Sequence, residues 1–115
     1  MYRNNVIGKA GTICPNTIKL LKSLKNINIA GYSLLIPNSK IEFHTDDTGP
    51  SFNSMAFNMK LSGGKSDLKI KDKNNIYINL HKNGKAIIFN SELQHSAENY
   101  SDSNRIILYV DFLTN

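Results

Sequence analysis

Cysteine is almost missing from this chain: Cys14 is its one thiol. That excludes an internal disulfide and suits a reducing compartment, so a cytoplasmic location is expected. Long apolar runs are missing too. None approaches the roughly 20 residues that a membrane-spanning helix needs, and Met1-Tyr2-Arg3-Asn4-Asn5 has no apolar core of a signal peptide. There is no internal repeat, linker or low-complexity segment, so residues 1–115 read as one domain with one modest core. Arginine is scarce. Only Arg3 and Arg105 accompany the lysines behind the net charge of +5. Lys65, Lys69, Lys71 and Lys73 cluster around turn signals without interleaved aromatics, which reads as a solvated strand edge rather than a nucleic-acid surface.

What the chain does have is strand periodicity. Ala30–Ile36, Lys40–His44, Met55–Leu61, Asp67–Lys71, Ile76–Leu80, Lys85–Phe89, Gln94–Glu98 and Arg105–Phe112 are bounded by Gly, Pro and Asn turn signals. In Met55–Leu61, the residues Met55, Phe57, Met59 and Leu61 share one face. One short amphipathic helix is expected from Pro15 to about Asn26, carried by Ile18, Leu21 and Leu24. Residues 1–14 form an arm or an edge strand. About eight strands and one helix predict an all-β jelly roll.

The chemistry sits in His44-Thr45-Asp46 and in His95, fifty-one residues after His44. Two imidazoles and a carboxylate are the ligand set of a non-haem iron centre with open positions. Residues i and i+2 of a strand share a face, so His44 and Asp46 are spaced to grip one ion, with His95 arriving from a distant strand. Asp46-Asp47 before Gly49-Pro50 also fits plain turn chemistry, with ligation the favoured reading. His81, beside Lys82-Asn83-Gly84, reads as a turn histidine and is left out. Arg105 opens the apolar strand Ile106–Val110, where a guanidinium needs an anion. That anion is either a ligand carboxylate or a structural partner among Asp111, Asp102 and Glu98.

Cys14-Pro15-Asn16-Thr17, Tyr32-Ser33, Leu35-Ile36-Pro37, His44-Thr45…Gly49-Pro50, Lys85…Ile88-Phe89-Asn90, His95 and Arg105-Ile106-Ile107-Leu108…Val110-Asp111 occur in that order. This string, from about Cys14 to Phe112, resembles the aspartyl/asparaginyl β-hydroxylase family of Fe(II)/2-oxoglutarate-dependent oxygenases. The resemblance implies a double-stranded β-helix, Fe(II) as cofactor and 2-oxoglutarate as cosubstrate. It also implies O2-dependent hydroxylation of an Asp-, Asn- or Pro-like side chain, free or in a peptide, with release of succinate and CO2. His44 and His95 match the family's iron-binding histidines, and Asp46 stands where some members have glycine and resembles the third ligand of the commoner triad. Arg105 and Ser33 match residues that hold the far carboxylate of 2-oxoglutarate. Asn58 replaces a frequent arginine and Lys60 a frequent histidine, with Lys60 still a candidate carboxylate holder. Substrate contacts are expected from the loops Asp47–Ser54 and Ser91–Gln94, and neither a membrane nor a nucleic acid is expected as partner. A cupin-like metal enzyme without 2-oxoglutarate and a non-catalytic jelly-roll binding module remain the alternatives.

Overall fold

The computed structural model describes residues 1–46 and 54–113. A helical turn, α1 (Ala10–Ile13), and a helix, α2 (Pro15–Lys22), precede eight strands. These are β1 (Ile27–Leu35), β2 (Ser39–His44), β3 (Ser54–Ser62), β4 (Ser66–Asp72), β5 (Asn75–Leu80), β6 (Ala86–Asn90), β7 (Gln94–Asn99) and β8 (Arg105–Leu113). They form two four-stranded sheets in the orders β1-β8-β3-β6 and β2-β7-β4-β5, with every pairing antiparallel. Apart from the β4–β5 hairpin, consecutive strands alternate between the sheets, which is the jelly-roll arrangement.

The first sheet is covered on both faces, and by different chemistry. Pro15, with its fixed φ, starts α2. Ile18 and Leu21 of that helix then pack on Ile27, Ala30, Leu108 and Val110, with Phe57 alongside. Each such side chain stabilises the fold by roughly 1.5–3 kcal/mol when fully buried. The helix stops at Lys22, short of the expected Asn26, and Asn26 at φ +63° turns the chain into β1. On the inner face Leu35, Ala56, Leu68, Phe89 and Ala97 form a second cluster between the sheets. The Met1–Asn5 arm lies along the free edge of β1, where the Met1 amino group donates to Ala30 O at 2.7 Å and Tyr2 bridges Ile29. That covers an edge which would otherwise offer unpaired backbone groups.

One expectation changes here. The lysine-bearing strand β4 is not an edge: it lies between β7 and β5. Lys69 there meets Asp67 at 3.4 Å and Glu98 at 3.7 Å. Asn99, the first residue of an Asn-Tyr-Ser sequon, is fully buried, and its amide donates to Leu35 O at 3.0 Å and Ser103 O at 2.8 Å. No described helix is long and apolar enough to cross a membrane.

Gly63 fixes the chain beside the start of β8. At φ +128° a Cβ would sit 3.0 Å from Asn104 O and 3.1 Å from Arg105 Cα, both backbone atoms that cannot swing aside. Gly63→Ala is therefore expected to destabilise the fold by about 1–3 kcal/mol, read as a lowered urea midpoint with unchanged m-value.

Candidate functional site

His44 and His95 are direct cross-strand partners on β2 and β7. Their ring centroids are 4.3 Å apart, and Phe89 packs its edge against His95 at 4.9 Å. Each ring is oriented by a backbone carbonyl two residues earlier. His44 Nδ1 lies 2.8 Å from Glu42 O and His95 Nδ1 2.7 Å from Leu93 O. With Nδ1–H donating, the Nε2 lone pair of both rings is free and faces inward. The chain leaves the strand after His44, so Asp46 is not a strand residue as the i, i+2 spacing predicts. Its backbone N–H instead donates to Ser91 O at 3.1 Å. That tie places one carboxylate oxygen 3.5 Å from His44 Nε2 and the other 3.5 Å from His95 Nε2.

Three donor atoms lie within 4.8 Å of one another. Cis ligands of one ion at about 2.1 Å sit roughly 3 Å apart, so small side-chain adjustments suffice to close this set on a divalent metal. The donor chemistry therefore fits a transition-metal ion. Without one, the charges settle among themselves. Contact with His95 holds the Asp46 carboxyl below its ordinary 3.8, against the opposing effect of burial. Burial opposes charging of His95, but Asp46 and the Leu93 carbonyl outweigh it and raise the ring above its ordinary 6.5. Metal and proton thus compete for His95. Uptake of a divalent ion is expected to weaken as pH falls and to release protons, measurable by calorimetry in buffers of different ionisation heat.

A cavity of about 590 Å³ runs from this cluster between the sheets. Alternation on β8 brings Arg105, Ile107, Tyr109 and Asp111 to it, and Ser33 and Asn58 line it as well. Arg105 is 1 % exposed, and its Nε has no hydrogen-bond partner. Among the described residues no carboxylate comes within ion-pair distance of it, so the structural bridge to Asp111, Asp102 or Glu98 does not form. Asp67 attracts it from farther away, while burial pushes its pKa down. An anion entering the cavity would find a guanidinium with no ion pair among the described residues and an unpartnered Nε–H.

His81 lies in the turn region after β5 as expected, yet it is buried. Its Nε2–H donates to Lys85 O at 3.0 Å, which leaves Nδ1 facing Arg105 Nη2 at 3.5 Å. Burial, joined by the charges of Arg105 and Lys60, lowers its pKa, so it stands neutral behind the guanidinium. Lys60 is not brought to the large cavity. Its ammonium donates to His81 O at 2.9 Å and to Gly64 O, beside a smaller cavity of about 320 Å³. The expected substrate loop Asp47–Ser54 falls outside the described residues except for its last position, on β3. Leu93 and Ser91 of the second loop serve through their carbonyls.

Asp111 was legible only as a candidate partner for Arg105. It stands at the other end of the same inner face, 8 % exposed. Burial, with repulsion from Asp46, raises its pKa to about 6. The folded value lies above the ordinary 3.8, so this group costs stability once ionised. The cost is absent below pH 3.8, grows between there and about 6, and is on the order of 3 kcal/mol above.

The fold has relatives of known structure. A predicted oxalate decarboxylase from Thermotoga maritima superposes with a TM-score of 0.56 at 17% identity, over 94% of this chain and 76% of that one, which is a likeness of fold alone. In sequence, an ornithine lipid ester-linked acyl 2-hydroxylase of Rhizobium tropici is 26% identical over 87% of this chain and 34% of its own length. An uncharacterized protein of Acanthamoeba polyphaga mimivirus is 31% identical over 97% of this chain and 41% of its own. The chain thus spans well under half the length of these curated relatives. The Aspartyl/Asparaginyl beta-hydroxylase family model matches residues 1–115, and the chain belongs to that family of hydroxylases.

Proposed function

We propose that this chain is an Fe(II)- and 2-oxoglutarate-dependent dioxygenase that hydroxylates an amino-acid side chain. The observation that carries this reading is one cavity with two inward-facing Nε2 atoms around a carboxylate near one end and a buried, ion-pair-free arginine farther along β8. Kinship supports it: the family is described by hydroxylation, and so is the Rhizobium tropici relative, there on the acyl chain of a lipid. Here the substrate is an Asp-, Asn- or Pro-like side chain, free or in a peptide.

Under this reading His44, Asp46 and His95 hold the ion and leave its remaining positions to ligands. When bound, iron with 2-oxoglutarate and O2 supplies the oxidant that places a hydroxyl on a C–H carbon, giving succinate and CO2. The chain's own work is placement. Arg105 binds the far carboxylate of 2-oxoglutarate with two parallel N–H donors, and the hydroxyl of Ser33 adds a third. Neutral His81 accepts from the guanidinium and fixes its direction without adding charge. Leu35, Leu68, Phe89 and Ala97 keep the wall apolar and exclude water. No side chain need act as general base.

Anaerobic titration with Fe(II), then 2-oxoglutarate, tests this directly. A visible charge-transfer band that requires both additions is expected. Bound iron without any band would replace the reading with a cupin-like metal enzyme, and absence of iron uptake would leave a binding module.

A further inference from the structure

The end of the cavity away from Arg105 holds hydrogen-bond acceptors without donors. Asp111 points into it with its carboxylate unpaired among the described residues, more than nine-tenths buried. Beside it, β1 is irregular. Ile27 pairs with Phe112 and Ile29 with Asp111, so Asn28 is an extra residue opposite that step. A bulge re-aims a side chain, and here Asn28 joins the cavity lining with its Oδ1 buried and unpartnered. Two buried acceptors of this kind are costly to keep empty. A ligand that satisfies both must bring several N–H donors to one spot, as a protonated amine does.

Charge points the same way. The other acid lining the cavity, Asp46, is already matched by the two histidines. With the cosubstrate and ion of the proposed function in place, the divalent ion and Arg105 bring three positive charges. The 2-oxoglutarate dianion, Asp46 and Asp111 bring four negative ones. An ammonium group placed beside Asp111 offsets that excess where it lies.

We propose that Asp111 and Asn28 form a subsite for the ammonium group of the substrate, so that the molecule hydroxylated here is a free amine or amino acid rather than an internal peptide residue. The substrate class rests on the oxygenase reading; the subsite itself does not. Asp111 and Asn28 anchor the amine, and the carbon presented to the metal cluster is set by its distance from that anchor.

The probes are n-butylammonium, its neutral isostere 1-butanol and the anion butyrate, titrated into the full chain with and without a divalent ion and followed by saturation-transfer NMR. Saturable binding of the ammonium is expected, about tenfold or more tighter than the alcohol. Asp111→Asn is expected to erase that preference, to leave alcohol binding unchanged and to raise Tm, because a buried charge is removed without loss of shape. Asn28→Ala, which keeps Asp111 in place, is expected to weaken the ammonium severalfold and decides the matter if the first variant misfolds. Equal binding of ammonium and alcohol, or a preference that survives both variants, would overturn the subsite. The Fe(II)/2-oxoglutarate band is recorded on the same samples. Ammonium selectivity without a band keeps the subsite and removes the oxygenase, and a band without selectivity does the reverse.

Discussion

His95→Ala is expected to abolish uptake of one divalent ion per chain, and with it all metal-dependent turnover. The ring is at once a ligand candidate, the cross-strand partner of His44 and the more buried of the two anchors of Asp46. Removing it leaves a bidentate remnant of one exposed imidazole and one carboxylate. Loss of even an outer-shell partner of a metal ligand costs about 10–100-fold in affinity, so loss of a ligand itself should exceed that. Without metal, the variant also loses the favourable contact between His95 and Asp46. The raised pKa of His95 means that contact stabilises the fold fully below pH 6.5 and fades as pH rises through the folded value. The metal-free variant should therefore be destabilised more at pH 6 than at pH 8, a difference that thermal melts at both values would read. Equal iron uptake by variant and parent would remove the three-residue cluster from the metal chemistry.

How far the site could be read from residues alone depends on what held each one in place. Alternation located β8, and with it Arg105, because a strand's period survives whatever packs on it. On β3 the alternation separates two faces without saying which is inner: Phe57 packs toward α2, while Ala56 and Asn58 line the cavity. A binding cavity inverts the usual rule that polar side chains point out. Asp111 lies on the same face as Arg105 by an even spacing, so its place was legible even though its lack of an ion pair among the described residues was not. Asn28 could not be foreseen, since a bulge is set by the partner strand and leaves no periodic mark. His81 was assigned to a turn by its Lys-Asn-Gly neighbours. It is drawn inward by contacts that span the sequence, to Lys85 O and Arg105 Nη2. Likewise Lys60 has the charge for an anion, but local carbonyls claim its ammonium.

Arg105→Met should raise the KM for 2-oxoglutarate by roughly thirtyfold or more while leaving the protein as stable as before, or more so. The two effects have one origin. Arg105 is fully buried, its Nε is unsatisfied, and its only described side-chain partner is a 3.5 Å contact to a neutral imidazole. Folding therefore strips a guanidinium of water and returns little for it. Replacing poorly compensated buried charge by an apolar side chain of similar volume is often neutral or stabilising, by about 1–4 kcal/mol. Under the proposed function, binding of the cosubstrate would complete the pair, and truncating one partner of a buried charge pair costs about 2–5 kcal/mol, which sets the scale of the KM change. A purely structural arginine would behave in the opposite way, with Tm falling and the KM of surviving enzyme unchanged. Urea unfolding beside cosubstrate kinetics separates the two, and His95 remains to bind metal in this variant, so the iron occupancy stays at the parent level. Arg105 is kept in a position that folding alone would not choose, and under the proposed function the cosubstrate's carboxylate would make that position favourable.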